Sequence, residues 1–344
     1  MPTPAPLDIE DAAQVRPYLR ARGFFPGACA IHVEPLSGGV SCKVVRVRAD
    51  GAGDGLVLKQ ALGRLRVAVE WFSPPERIHR EALGLRWLQR LEPAGAVPRF
   101  LFEDFASHLL AMSAVPQPHR NLKGELMAGR VEPEIARQMG VLLAQLHNIK
   151  DGPGEDPAAV FADRSYFESL RLEPYYLFAA QATVEARDFL TALVAETRTH
   201  AEALVHGDFS PKNLLCHQGR LCLLDHEVIH WGDPAFDVGF ALTHFLSKAH
   251  HFPLWRSRFA DAARRFFSAY QGAAGWEPQR ERRIVAHTLG CLLARVDGRS
   301  PLEYLSPRER EGQRRAVLKL LSTPPRNVPE CIDRFLDLII YGND

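Results

Sequence analysis

Asp208, Asn213 and Asp225 are the residues of this 344-residue chain whose types and spacing could do chemistry together. His206, Asp208 and Asn213 form an H-x-D-x-x-x-x-N pattern in "HGDFSPKN", and Asp225 closes the apolar run "LCLL" twelve residues beyond Asn213. An amide oxygen and a carboxylate gathered beside a second carboxylate make a hard oxygen set. Such a set suits magnesium, which keeps several waters and takes only one or two protein carboxylates plus substrate phosphates. Asp208, ahead of the metal pair, is then free to accept a proton from an attacking hydroxyl. Metal on the phosphates and a carboxylate on the nucleophile is the division that phosphoryl transfer needs. Glu227, two residues past Asp225, is a candidate third oxygen ligand.

These side chains meet only if the chain folds back between them. "NLLC" and "LCLLD" flank the turn "HQGR", so a β-hairpin is expected, with Asn213 at its entrance and Asp225 at its exit. His206 could be read as a zinc ligand or general base, but the other histidines lack ligand spacing, and a backbone-bonding role is expected. Asp237, after "GDPAF", is expected to pin the backbone of the Asp208 loop. His226, His230 and Trp231 serve equally well as pocket wall or as packing.

Upstream, a Pro-rich start leads into a helix capped near Asp8 or Asp11 and stopped by Gly23, with Pro17 inside it. The β-prone runs "CAIHVEPL", "VSCKVVRVRAD" and "LVLKQAL", separated by glycine turns, predict an antiparallel meander. Ser37, Gly38 and Gly39 lie between the first two runs, where backbone N–H groups could approach a polyphosphate. Lys59 sits in the middle of the third, either pointing inward or snorkelling from an edge. Ile78, Ala82, Leu85, Leu88 and Leu91 then recur at helical spacing. Glu81 in that helix could pair with Lys59 and hold it at the α- and β-phosphates, with Glu76 as its competitor. Two more strand-like runs precede "PQPHRN", and beyond it the chain turns helical, beginning with the face Ile135, Met139, Leu142, Leu143 and Leu146. The expected fold is α+β: a small antiparallel sheet with one main helix over 1–112, a linker over 113–118, and a larger, mostly helical part over 119–344.

Composition narrows the partners. The 42 basic and 41 acidic residues leave a net charge of +1, so no global field favours nucleic acid or an anionic membrane. Six cysteines are scattered without a C-x-x-C pair, which fits a reducing compartment. The acidic N-terminus lacks a signal-peptide pattern, no apolar run approaches membrane-spanning length, and a cytoplasmic location is expected.

With those residues in place, the sequence resembles the aminoglycoside phosphotransferase and choline kinase superfamily, small-molecule relatives of the protein kinases. "VHGDFSPKNLL" is similar to its catalytic loop and "LLDHEVIHWGDPAFDVGF" to its metal-binding segment; the nearest branch is methylthioribose kinase-like, on "LVLKQALGRLRVAVEWFSPPERIHREALGL" and the Asp225-His226-Glu227 triplet. The resemblance implies a bilobal protein-kinase-like fold that uses ATP and Mg2+ to phosphorylate a hydroxyl of a small metabolite or antibiotic. It implies Asp208 as base, Asn213 or Asp225 with Glu227 on magnesium, Lys59 on phosphate, and the linker from Met112 and Ser113 to Val115 around adenine. The acceptor is expected in the helical part, walled by "VIHW" with Trp231 and by "LLARVDGRSPLEYL", where Arg295, Asp297 and Arg299 offer charges. Asn213 stands where that branch usually has a small residue such as serine, and Ala294-Arg295 where it has a helical arginine pair. The acceptor therefore stays open between methylthioribose-like, aminoglycoside-like and choline- or homoserine-type molecules. The non-catalytic alternative is a nucleotide-binding regulator.

Overall fold

The computed structural model describes residues 7–26, 29–36, 41–51, 53–66, 71–151, 154–275 and 277–341. Ser37, Gly38 and Gly39 lie outside the described residues. Strands β1 (Ile31–Pro35), β2 (Cys42–Ala49), β3 (Leu56–Ala61), β4 (Phe100–Asp104) and β5 (Leu109–Ser113) form one antiparallel sheet in the order β1-β2-β3-β5-β4. Alternation along each strand divides its side chains between two helices. Val45, Val47, Leu56, Leu58, Leu109 and Ala111 pack with Val15 and Leu19 of α1 (Ala12–Ala21), whose first turn is capped by Asp11. The residues in the opposite phase, among them Cys42, Ala61, Leu110 and Met112, join Ile78, Ala82, Leu85 and Leu88 of α2 (Arg77–Leu88) in the larger core. Lys59 has the phase of Ala61. A one-residue slip would carry it to the α1 face, and the register Val44↔Lys59↔Leu110 fixes it on the α2 face. At the β2–β3 turn Gly55 has φ +79°, and a Cβ there would stand 2.2 Å from the Val47 carbonyl oxygen, so the turn requires glycine.

The rest of the chain is mostly helical. Strand β6 (His119–Asn121) leads into α3 (Leu122–Met127) and α4 (Pro133–His147), with Pro133 opening α4. Strands β7 (Ala203–Val205) and β10 (His230–Gly232) pair with each other, while β8 (Leu214–His217) and β9 (Arg220–Leu223) form a hairpin that adds to β6. The helix Ala235–His251 is buried from Ala235 to His250, the mark of a helix surrounded on all sides, and Arg256–Ala273 and Pro278–Asp297 pack on it. Asp237, in the first turn of this helix, reaches the backbone of the candidate loop and anchors it to the core. Among the described residues no helix is long and apolar enough to cross a membrane.

Candidate active site

The hairpin does what its sequence implies. Gln218 and Gly219 turn the chain with φ of 49° and 74°, the two positive angles of a tight two-residue hairpin loop. Leu214 pairs with Leu223, and the Leu224 N–H donates to the Asn213 carbonyl at 2.8 Å, so Asn213 and Asp225 flank the open end. Asn213 Nδ2 donates to Asp208 Oδ2 at 2.8 Å and to the Asp208 carbonyl at 3.0 Å. The same Oδ2 is held by Arg171 at 3.0 Å and by Lys212 at 2.9 Å. The loop backbone is pinned from beneath: Asp237 accepts the N–H of His206 at 2.6 Å and of Gly207 at 2.8 Å, and His147 Nε2 lies 3.2 Å away. Gly207 has φ +76°, and a Cβ would meet Val228 at 2.8 Å. His206 is built into the backbone, with Nδ1 accepting the Asp208 N–H at 3.1 Å and Nε2 donating to the Leu224 carbonyl at 3.1 Å. Those two partners require the neutral ring, and burial lowers its pKa accordingly.

Lys59 links the two halves. Its ammonium lies 2.6 Å from Glu81 and also hydrogen-bonds Asp225. Asp225 has φ +67°, an uncommon backbone for a residue with a side chain, and strain of this kind gathers at ligand-binding sites. Burial drives the Glu81 carboxyl up and Lys59 only partly opposes it, leaving it at about 7. Burial also disfavours charge on Asp208 and Asp225, but the cations win. Arg171 and Lys212 hold Asp208 below the usual carboxylate range, and Lys59 and Lys212 do the same for Asp225. Both are ionised at neutral pH.

A profile of the phosphotransferase enzyme family, APH, matches residues 32–283. The chain belongs to that family. It is similar to a methylthioribose kinase of Cronobacter sakazakii, 28% identical over 263 residues that cover 64% of this chain and 65% of that one. It thus spans just under two thirds of the length of this curated relative. In structure it is similar to a choline/ethanolamine kinase family protein from Mesorhizobium loti, with a TM-score of 0.53, 18% identity, and 96% and 99% of the two chains covered. A choline kinase from Cryptosporidium parvum gives a TM-score of 0.55 at 12% identity, again over 96% and 99%. These likenesses bear out the expected α+β, bilobal, protein-kinase-like architecture.

In the structure the expected residues divide. Asp208, Asn213, Asp225, Lys59 and Glu81 come together; Glu76, at the start of α2, makes no side-chain cap bond there. Glu227 is drawn to Arg77 at 2.9 Å, and no group of three His, Cys, Asp or Glu closes into a metal-holding cluster among the described residues. Met112 and Ser113 end β5, where the Ser113 N–H donates to the Arg99 carbonyl and the Ser113 Oγ accepts the Arg99 N–H. Val115 follows with an N–H that donates no bond among the described residues. Of the acceptor candidates, Trp231 donates to the Ala201 carbonyl at 3.0 Å and lies under Lys150, as a packing residue would. Asp297 is claimed by Arg314 and by Thr183 at 2.6 Å. Arg299 lies over the Phe178 ring at 5.4 Å, and Arg295 is buried against Tyr175 and Ser300.

Three cations escaped the sequence reasoning. Lys212 was visible, four residues after Asp208 in the quoted motif. Arg171 arrives from a helix 37 residues upstream, and nothing local marks it. Arg77 is fully buried, donates to the carbonyls of Ser73, Pro74, Leu62 and Ser41 besides Glu227, and so ties Ser41, just ahead of β2, to α2.

Proposed function

We propose that the protein is an ATP- and magnesium-dependent kinase that phosphorylates a hydroxyl of a small molecule. The observation that carries this is the convergence of Asp208, Asn213 and Asp225 at the open end of one hairpin, facing a Lys59–Glu81 pair. Asn213 turns its Nδ2 to Asp208, and its Oδ1 accepts no hydrogen bond among the described residues. That oxygen and the ionised Asp225 carboxylate are the hard donors magnesium prefers. Bound there, Mg2+ would supply positive charge for the phosphate oxygens. Glu227 could join only by exchanging Arg77 for the ion.

The chain's own residues do the rest. Lys59, held by Glu81, meets the phosphates once nucleotide displaces it from Asp225. The Val115 N–H, unpartnered among the described residues, offers adenine a donor beside Met112 and Ser113. Asp208 orients the acceptor hydroxyl; its oxygen bonds to the γ-phosphorus as the bond to the bridging oxygen breaks and ADP leaves, and the proton passes to Asp208. A carboxylate held low by two cations is a weak base. That is sufficient for phosphoryl transfer, whose loose transition state asks mainly for positioning and charge.

The test is ADP release by the full chain with Mg-ATP over methylthioribose, aminoglycosides, choline, homoserine and simple sugars. Acceptor-dependent release that EDTA stops is expected. No release with any acceptor, together with no thermal stabilisation by Mg-ATP, would sink the reading.

A further inference from the structure

Six lysines and arginines are buried among the described residues: Lys59, Arg77, Arg171, Lys248, Arg283 and Arg295. Four of them face carboxylates: Lys59 has Glu81 and Asp225, Arg77 has Glu227, Arg171 has Asp208, and Arg283 has Asp233 and Glu202. Lys248 and Arg295 form no ion pair among the described residues. The Lys248 ammonium reaches the His244 carbonyl at 3.4 Å and lies 5.1 Å from the centre of the Tyr304 ring. Glu303, the adjoining acid, is taken by Lys123 at 2.5 Å and is largely exposed. Arg295 donates to the carbonyl and hydroxyl of Ser300 and to the Tyr175 hydroxyl, and its Nε finds no partner. His244 Nε2 and the Tyr304 hydroxyl are likewise buried without a partner.

Buried charge without a counter-charge is costly, and buried polar groups are otherwise satisfied almost everywhere in a fold. Here the unmatched cations and open polar atoms share one place, and it adjoins Asp208. Arg171, which pairs with Asp208, and Arg295 both lie over the Tyr175 ring, at 5.7 and 5.6 Å. Phe240 joins Tyr175 at 5.9 Å to His244 at 5.0 Å. Burial, with the charges of Lys248, Arg295, Lys212 and Lys123, holds His244 well below its ordinary pKa. Burial, with Lys123 and Arg295, brings Lys248 down to about 7.

We propose that Lys248, Arg295, His244 and Tyr304 form a subsite for a compact anionic group, a carboxylate or phosphate carried by the acceptor. This rests on the kinase reading of the adjoining Asp208, and it sets the acceptor class: a hydroxylated acid or phosphate ester. A cationic acceptor such as choline or an aminoglycoside would meet like charge there.

The experiment has two readouts on the full chain: thermal stabilisation by D-glycerate and by glycerol 3-phosphate, with glycerol and choline as neutral and cationic controls, and ADP release with the same four. Variants are Lys248→Met, Tyr304→Phe, and Lys319→Met as the same charge change at an exposed position. One anion should bind, its identity separating carboxylate from phosphate, and Lys248→Met should weaken it by about 10- to 100-fold, the worth of a charged hydrogen bond. Tyr304→Phe should weaken it less, and Lys319→Met not at all. Ligand-free Lys248→Met should melt no lower than wild type, since it removes an uncompensated charge. In turnover the same variant should raise KM for the anionic acceptor with kcat within about threefold, as loss of uniform binding does. Equal stabilisation by choline, or unchanged anion binding in Lys248→Met, overturns the subsite. ADP release with glycerol or choline but neither anion leaves the kinase reading standing and removes the subsite. Anion binding lost in Lys248→Met with no ADP release from any acceptor does the reverse.

Discussion

Asp208 and Asp225 differ from Asp233 and Asp237 in what surrounds them, although all four lie within thirty residues of chain. Asp237 is sealed, with one oxygen on the Gly207 N–H and the other on the His206 N–H and His147. Asp233 is sealed by Arg283 at 2.9 Å and the Ala235 N–H at 3.0 Å. Asp208 is as buried as these, but one of its cations, Lys212, has a side chain 50% exposed. Asp225 is 21% exposed and leans on a lysine that a phosphate could claim. Burial therefore does not separate Asp208 from the sealed pair. What separates them is whether the partners can be exchanged for a ligand.

The largest effect should fall on the exchangeable pair. Asp208→Asn and Asp225→Ala are each expected to lower kcat by about 100- to 10,000-fold, with a urea midpoint shifted less than in any Asp237 variant. Near-wild-type turnover in either would erase the distinction. Asp237→Ala should instead cost about 3–5 kcal/mol in urea unfolding, because it leaves two buried backbone N–H groups and His147 unanswered. Its activity should disappear together with the fold. A smaller loss, roughly 1–3 kcal/mol, is expected for Asp233→Ala, since Arg283 keeps Glu202 at 2.7 Å. In this variant kcat/KM should stay within about threefold wherever the protein is folded, and a drop comparable to that of Asp208→Asn would place Asp233 among the reactive carboxylates.

The smallest effect sharpens the comparison by pH. Buried His230, stacked on Phe167 with its Nδ1 on the Val228 carbonyl, is lowered from 6.5 to about 4 by burial. Between those values the unfolded chain binds a proton that the folded chain refuses. The His230 contribution should accordingly be level above pH 6.5 and turn unfavourable as pH drops toward 4, so that wild type loses roughly 1–3 kcal/mol relative to His230→Gln over that window. A difference in urea midpoint between the two chains that stays unchanged from pH 7 to pH 5 would contradict this.

How much could be read in advance followed from the range of each interaction. The hairpin was legible because a two-residue glycine turn between apolar runs leaves one register, and that register puts Asn213 beside Asp225. The Lys59–Glu81 pair was half legible: strand alternation and helix periodicity each fixed a face, but their meeting needed the packing of α2 on β3. Trp231 and Asp297 looked like pocket residues, because a tryptophan or an aspartate reads the same whether it faces a ligand or, as here, the Ala201 carbonyl and Arg314.

The sequence by itself determined the α+β division, the antiparallel strands and the hairpin, and it singled out Asp208 and Asp225 as the carboxylates proposed to act, all from spacings of a few residues. Only the tertiary structure decided how the charges were matched. Arg171 reaches Asp208, Arg77 crosses 150 positions to Glu227, and Lys248 reaches no carboxylate among the described residues. Burial makes such matches and mismatches costly, yet no local period encodes them, because electrostatic energy depends on distance through space and on exclusion of water.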